Sequence, residues 1–394
     1  MNCKSYTTTS SVFKRVSLFV AAVCFATLGF ANDTEPAHHG VEEEVKQLEK
    51  EEKFNPTEMI MHHIADSHEF HVYGDAHDGM TIALPVILWT NNGLVTFMSS
   101  EFHHNDDATH IVEKNGQKFV KFHDKIFYAN ETANEHGQYV QLDEQHHVSS
   151  AKPLDFSITK NVFSLLLSFV VIVLLFLSVA AKYRTRGNVA PRGTQSFLEP
   201  LILFVRDDIA VPNIGAAKAG KYLPYLLTIF FFIWINNLIG LIPFFPFGSN
   251  LTGNIAFTLV MAFITLIVVN ISANKDYWKH IFWMPGVPVP VKILLAPIEL
   301  MGVLTKPVAL MIRLFANITA GHIIILSLIA LIFIFQSLAI GPVSVAFVLF
   351  MNVLELLVAA LQAYIFTMLT ALFIGSAIAD HHHDEHSHGA EAHH

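Results

Sequence analysis

The sequence predicts an all-α polytopic membrane protein carrying a small β-rich extramembrane domain near its N-terminus. Three observations predict it. The 394 residues are 53% hydrophobic and only 14% charged, with a mean hydropathy of +0.46, whereas a soluble protein carries about a quarter charged residues. Beyond residue 160 the apolar residues gather into runs long enough to cross a bilayer. The formal net charge of −9 falls mostly on residues 32–157, so a solvated acidic domain precedes a membrane body. No basic cluster able to grip phosphates occurs, which excludes nucleic acid as a partner.

Residues 1–31 read as a signal peptide. Lys14 and Arg15 form its basic region, 16–30 its apolar core, and Gly29-Phe30-Ala31 a small-x-small cleavage site. The apolar run is shorter than the ~18–20 residues that span a membrane, which weighs against a short anchor. Cys3 and Cys24 both fall inside it, so cleavage would leave no thiol or disulfide chemistry. Residues 32–157 form an acidic, histidine-rich extracytoplasmic domain. It opens with a charged linker over 32–53 and shows strand signals over 68–128. Residues 80–89 are β-rich, 118–122 alternate, and Asn115-Gly116 marks a hairpin turn.

The membrane domain, residues 158–379, then unfolds in order. Residues 162–181 span and are followed at once by Lys182, Arg184 and Arg186. Residues 194–211 mix apolar and charged side chains as an interfacial amphipathic helix does. Residues 222–242 and 255–271 span again, separated by an uncharged turn at 243–252. The apolar stretches 287–335 and 344–379 flank a break at Gly341-Pro342. Each exceeds the ~20 residues of a perpendicular crossing, so each must be strongly tilted or broken. The Lys/Arg bias puts Lys182, Arg184, Arg186, Arg192, Lys275 and Lys279 in the cytoplasm. Five crossings then leave the histidine-rich tail, 380–394, cytoplasmic.

Inside the last two stretches stand Glu299, Lys306, Arg313, Asn317, His322, Glu355 and Gln362. An arginine near the bilayer centre costs from about +2.5 to over +10 kcal/mol, so it is kept where it is paired, wetted or used. Glu299, Lys306 and Arg313 recur one heptad apart and share a helical face that Asn317 extends, because the drift is only ~20° per heptad. His322 points to the opposite side. An antiparallel hairpin about 336–343 pairs Arg313 with Gln362 and His322 with Glu355 in one register. A histidine beside a buried carboxylate reads as a proton relay, or as a hydrogen bond without transport. Arg313 cannot deprotonate.

These residues are recognisable. Lys306-Pro307-Val308, Arg313-Leu314-Phe315-Ala316-Asn317 and Ala320-Gly321-His322 resemble the signature around the essential arginine of subunit a of the F-type ATP synthase. Leu361-Gln362-Ala363-Tyr364-Ile365-Phe366 is similar to that family's last-helix motif, and Asn236-Asn237-Leu238-Ile239-Gly240-Leu241-Ile242-Pro243 to an earlier one. The resemblance covers residues 161–379. It implies a non-catalytic, proton-translocating stator subunit of a bacterial inner membrane. Arg313 would face the carboxylates of a ring of c subunits, reached by two offset half-channels. Asn317 and Gln362 would support it, His322 and Glu355 would be the ionisable pair of the outer half-channel, and Glu299 an acid on the cytoplasmic side. Where some relatives carry an aspartate, this chain has Gly240. The implied partners are the c ring, the peripheral stalk b subunits, the rest of the ATP synthase and the lipid bilayer. No cofactor or metal is implied, and no phosphate-cradling glycine motif occurs, so ATP chemistry falls to other subunits.

The resemblance leaves the acidic domain without a role. Its histidines, among them His38, His39, His62, His63, His103, His104, His146 and His147, lack fixed ligand spacing, as do those of the tail, and read as solvated polar sequence. A histidine-rich secondary metal-ion transporter is the alternative function. It requires several ligands at the midplane, where His322 is the sole histidine.

Overall fold

The computed structural model describes residues 56–73, 80–135, 137–143, 148–186, 193–242, 246–284, 286–335 and 340–379. The expected signal peptide, the charged linker and the histidine-rich tail lie outside the described residues.

The extramembrane domain opens with helix α1 (Pro56–Ile64). Three small antiparallel sheets follow. The first pairs β1 (Glu69–Tyr73) with β2 (Met80–Ala83). The second has the order β4 (Gly93–Met98), β3 (Pro85–Thr90), β8 (Leu154–Asp155). The third is a meander of β5 (Val112–Lys114), β6 (Gln117–Phe122) and β7 (Lys125–Tyr128). Alternation places Val86, Leu88, Val95 and Phe97 inward against Phe102, Phe119 and Ile126, each worth about 1.5–3 kcal/mol when buried. Val120 on the opposite side of β6 is buried with Phe127 and Val140, so β6 is covered on both faces.

The Asn115-Gly116 turn is present, with both residues at positive φ (52° and 71°), as a two-residue hairpin demands. A second such turn, His123-Asp124 at φ 49° and 58°, carries no glycine and went unread in the sequence. Asp106 holds it, its Oδ1 accepting from the Asp124 amide at 2.8 Å. The β-rich run 80–89 is not one strand. It divides at Leu84, whose amide donates to His68 O and Ser99 Oγ, both at 3.1 Å, and β2 and β3 belong to different sheets.

A buried ion cluster ties the first sheet to the third. Glu69 Oε1 lies 3.0 Å from Lys121 Nζ and Glu69 Oε2 lies 2.7 Å from His104 Nδ1, with Asp106 3.7 Å from the same ammonium. Lys121 is 3% exposed. Burial pushes the Glu69 carboxyl up, but the Lys121 charge and the bonds from His104 and Lys121 outweigh it and leave it below its ordinary 4.5. Burial likewise pushes Lys121 down, while Asp106, Glu69 and Asp124 carry it above 10.5.

Five helices among the described residues are long and apolar enough to cross a membrane: α2 (Lys160–Arg186), α5 (Ala216–Leu241), α6 (Ile255–Ser272), α8 (Val289–Phe335) and α9 (Ile340–Ile378). Between α2 and α5 lies the amphipathic stretch, built from α3 (Thr194–Phe204), a π-helical turn (Val205–Ala210) and α4 (Val211–Ile214). It buries Leu198, Val205 and Ile209 and exposes Arg206 and Asp207. Gly215, at φ 89°, ends it and starts α5. Helix α5 begins six residues before the expected 222, because its first turns are Ala-, Lys- and Gly-rich and carry no apolar signal. An eight-residue helix, α7 (Lys275–Phe282), occupies what the sequence left as a loop. Helix α8 runs 47 residues and α9 39 residues, each unbroken, with Pro297 and Pro307 inside α8.

The two ends of the bundle are fastened differently. At one end Ser249 Oγ donates to Asn161 Oδ1 at 2.7 Å, beside the β domain. At the other, Lys218 Nζ and Asn274 Nδ2 each donate to Ile378 O at 2.9 Å, satisfying a terminal carbonyl of α9. At Gly375 the α9 backbone meets Asn213 of α4, and a Cβ would strike the Asn213 carbonyl.

Three outcomes follow from this packing. Lys121→Met strands two carboxylates in the domain interior and should destabilise it by about 3–5 kcal/mol, read as lost amide-exchange protection across β5–β7. Glu69's depressed value means its contribution is complete above 4.5 and is lost as pH falls through its folded value, whereas that of Lys121 is complete below 10.5. The domain should therefore loosen under acid and hold through neutrality. Gly375→Val should separate α4 from α9, giving a protein that no longer survives detergent extraction as a folded bundle.

Candidate functional site

Helices α8 and α9 pack along each other, and α9 buries Glu355 and Gln362. On α8 the inward positions Leu310, Leu314 and Ile318 are buried at helical spacing. The opposite positions Thr305, Ala309, Ile312, Arg313, Ala316, Asn317 and Ala320 are exposed. Arg313 thus stands on an outward stripe flanked by alanines. Among the described residues no carboxylate forms an ion pair with it. Lys306 is exposed on the same side, its ammonium 5.5 Å from the centre of the Phe373 ring.

Asn317 reaches from this stripe toward α9. Its Nδ2 donates to Gln362 Oε1 at 3.0 Å, and Gln362 is only 1% exposed. This corrects the expected Arg313–Gln362 pairing by one helical turn. Arg313 faces outward, so the buried amide is satisfied by the neighbour that can reach inward. Glu299 does not join the stripe fully. It is half-buried near Tyr277 of α7, and burial together with the Glu299 charge holds the Tyr277 phenol above its ordinary value.

His322 lies on the inner side of α8. Its Nδ1 is 2.6 Å from Glu355 Oε1, with both side chains largely buried. The same Nδ1 lies 3.2 Å from Ile318 O, while Nε2 lies 3.4 Å from Gly240 O on α5. Both ring nitrogens therefore face oxygen acceptors, and only the doubly protonated ring can donate to both. The ring is positioned to hold a proton against a carboxylate. Gly321 makes room for that carboxylate: a Cβ there would fall 3.0 Å from Glu355 Oε1.

Two groups that sequence reasoning passed over complete the surroundings. Asn237 of α5 donates through Nδ2 to Ala359 O at 3.2 Å and accepts at Oδ1 from Thr252 Oγ1 at 2.7 Å. Thr319 Oγ1 donates to Gly253 O at 3.4 Å. The uncharged turn between α5 and α6 is thereby fastened onto α5 and α8, and α5 onto α9. Asn237 had appeared only as part of a motif; nothing in the sequence links it to Thr252.

Comparison with known proteins agrees with this architecture. Residues 162–375 match the ATP synthase A chain family, and residues 59–156 match a domain of unknown function (DUF8433). The ATP synthase subunit a of Chloroherpeton thalassium is 44% identical over 239 residues, covering 60% of this chain and 71% of the relative. That of Chlorobium phaeobacteroides is 46% identical over 247 residues, covering 61% and 70%. That of Myxococcus xanthus is 40% identical over 242 residues, covering 60% and 78%. A match over more than half of the sequence, on the five helices and the polar hairpin they enclose, means that the chain belongs to the ATP synthase A chain family.

Proposed function

We propose that this chain is the proton-conducting stator subunit of a rotary ATP synthase, without nucleotide chemistry of its own. The observation that carries the reading is the setting of Arg313: an obligate cation on an outward face of α8, lined by Ala309, Ala316 and Ala320, with no acid in contact among the described residues. Small residues let a neighbouring helix approach closely in the membrane. A charge so placed gains its counterion from a partner, and a ring of c subunits bearing one carboxylate each supplies one repeatedly.

Two half-channels reach the sliding contact from opposite sides. On the outer side, His322 and Glu355 pass a proton between water and the ring carboxylate, with imidazole exchanging near neutral pH. Glu299 serves the cytoplasmic side. Arg313 blocks the direct route, so a proton must ride the ring. Each crossing releases about 2.3 kcal/mol per 100 mV, which becomes torque only while that block holds. The β domain lies outside the cytoplasm, the tail lies within it, and b subunits hold the chain against rotation.

Two measurements test the reading in the reconstituted holoenzyme. Arg313→Ala should bring ATP-driven proton pumping to background; pumping retained at the native rate would sink the mechanism. Gly321→Val should force Glu355 away from His322. Proton flow should fall by 10²-fold or so, as expected when a general acid–base partner is displaced, with the c ring still bound.

A further inference from the structure

The extramembrane domain is attached to the membrane helices through the same wall that holds His322. Asp66, between α1 and β1, accepts from the Asn161 amide through Oδ1 and from Thr159 Oγ1 through Oδ2, both at 3.1 Å. The Lys160 amide donates to Ser67 O at 3.0 Å. Together these groups cap the first turn of α2 from a different part of the chain. Phe70 stands edge-on to Phe163 at 5.4 Å, which fixes the first sheet on the same turn.

The connection continues inward. Asn161 Oδ1 accepts from Ser249 Oγ at 2.7 Å, in a contact that is buried on both sides. Ser249 belongs to the turn that closes α5, and the Gly248 amide pins that turn to Ile239 O at 3.1 Å. The Ser249 carbonyl fills the space a side chain at 240 would need, 3.2 Å from the position of a Cβ. Gly240 O in turn faces His322 Nε2 at 3.4 Å. From Asp66 to the imidazole the path runs through hydrogen bonds, with one step, Ser249 O over Gly240, made by close packing.

We infer that Asp66, Asn161 and Ser249 are positioning residues for proton transfer at His322, and that the added domain is a structural part of the outer half-channel wall. The inference rests on the relay reading of His322 and Glu355 given above. The domain sets where the α5–α6 turn sits, the turn sets the Gly240 carbonyl, and the carbonyl fixes one face of the ring. Losing a link lets the ring rotate away from one acceptor, which changes the proton's preference between ring and carboxylate. Among the described residues the titratable group paired with His322 is Glu355 on α9; α5 presents the Gly240 carbonyl to it, and α1 also packs against α8. Around Lys160, beside Asn161, the charged groups are Asp124, Asp66, Glu69 and Lys121.

The test measures passive proton flow across a pH series in proteoliposomes holding the complete membrane sector, with subunit content checked for each variant. Ser249→Ala removes one hydroxyl and no backbone. It should lower flow several-fold and shift the midpoint of the pH profile by roughly half a unit, the scale of a lost hydrogen bond beside a titrating group. Asn161→Ala should reproduce the shift. Ser249→Thr should restore the native midpoint, and Asp66→Asn, which keeps an acceptor for the Asn161 amide, should stay nearer native than Asp66→Ala. Native profiles in both alanine variants, alongside a His322→Gln variant that blocks flow, would overturn this inference and leave the relay standing. Native flow in His322→Gln would overturn the relay and this inference with it. If Asn161→Ala lowers assembly, the Ser249→Ala and Ser249→Thr comparison decides alone.

Discussion

A fixed positive charge on an outward helix face, with no acid paired to it among the described residues, is the constraint around which this molecule is arranged. Water would satisfy Arg313 cheaply and hydrocarbon would not, so the helix that carries it must present it to something else. The rest follows as support. The inner side of α8 is anchored by Leu310, Leu314 and Ile318, which keeps the helix from turning the guanidinium inward. Asn317, one turn away, turns its amide toward α9 and donates to Gln362. The charge is kept available by what its neighbours are already doing.

His322 and Glu355 are organised on the opposite principle. They lie inside the hairpin, in contact with each other and with backbone carbonyls of two helices. A buried ion pair contributes little stability by itself, and this one displaces apolar packing between α8 and α9. The outward Arg313 and the inward His322 share one helix, so the position of one is mechanically tied to the other.

Much of this was legible in the residues. Long apolar runs gave the five helices, since nothing but a helix or a closed barrel satisfies the backbone in lipid, and the heptad from Lys306 to Arg313 gave the shared outward face. The Arg313–Gln362 pairing failed because register was argued from two polar pairs at once, while side-chain reach let Asn317 take the amide instead. The early start of α5 and the whole of α7 were missed where polar residues continue or form a helix without an apolar signal. The His123-Asp124 turn depends on Asp106, eighteen residues distant, and the Ser249–Asn161 contact joins positions with no pattern in common. Tertiary hydrogen bonds of that kind leave no periodicity to read.

The length of α8 has a geometric consequence. Forty-seven residues at 1.5 Å each measure roughly 70 Å, against a hydrocarbon core of about 30 Å. A rod of that length kept near the membrane must recline, so much of its axis runs sideways. On the proposed reading, a body turning about the membrane normal travels partly lengthwise over this helix. Lys306, Arg313 and Asn317 then become stations met in succession, and sequence order along one helix is converted into order in time.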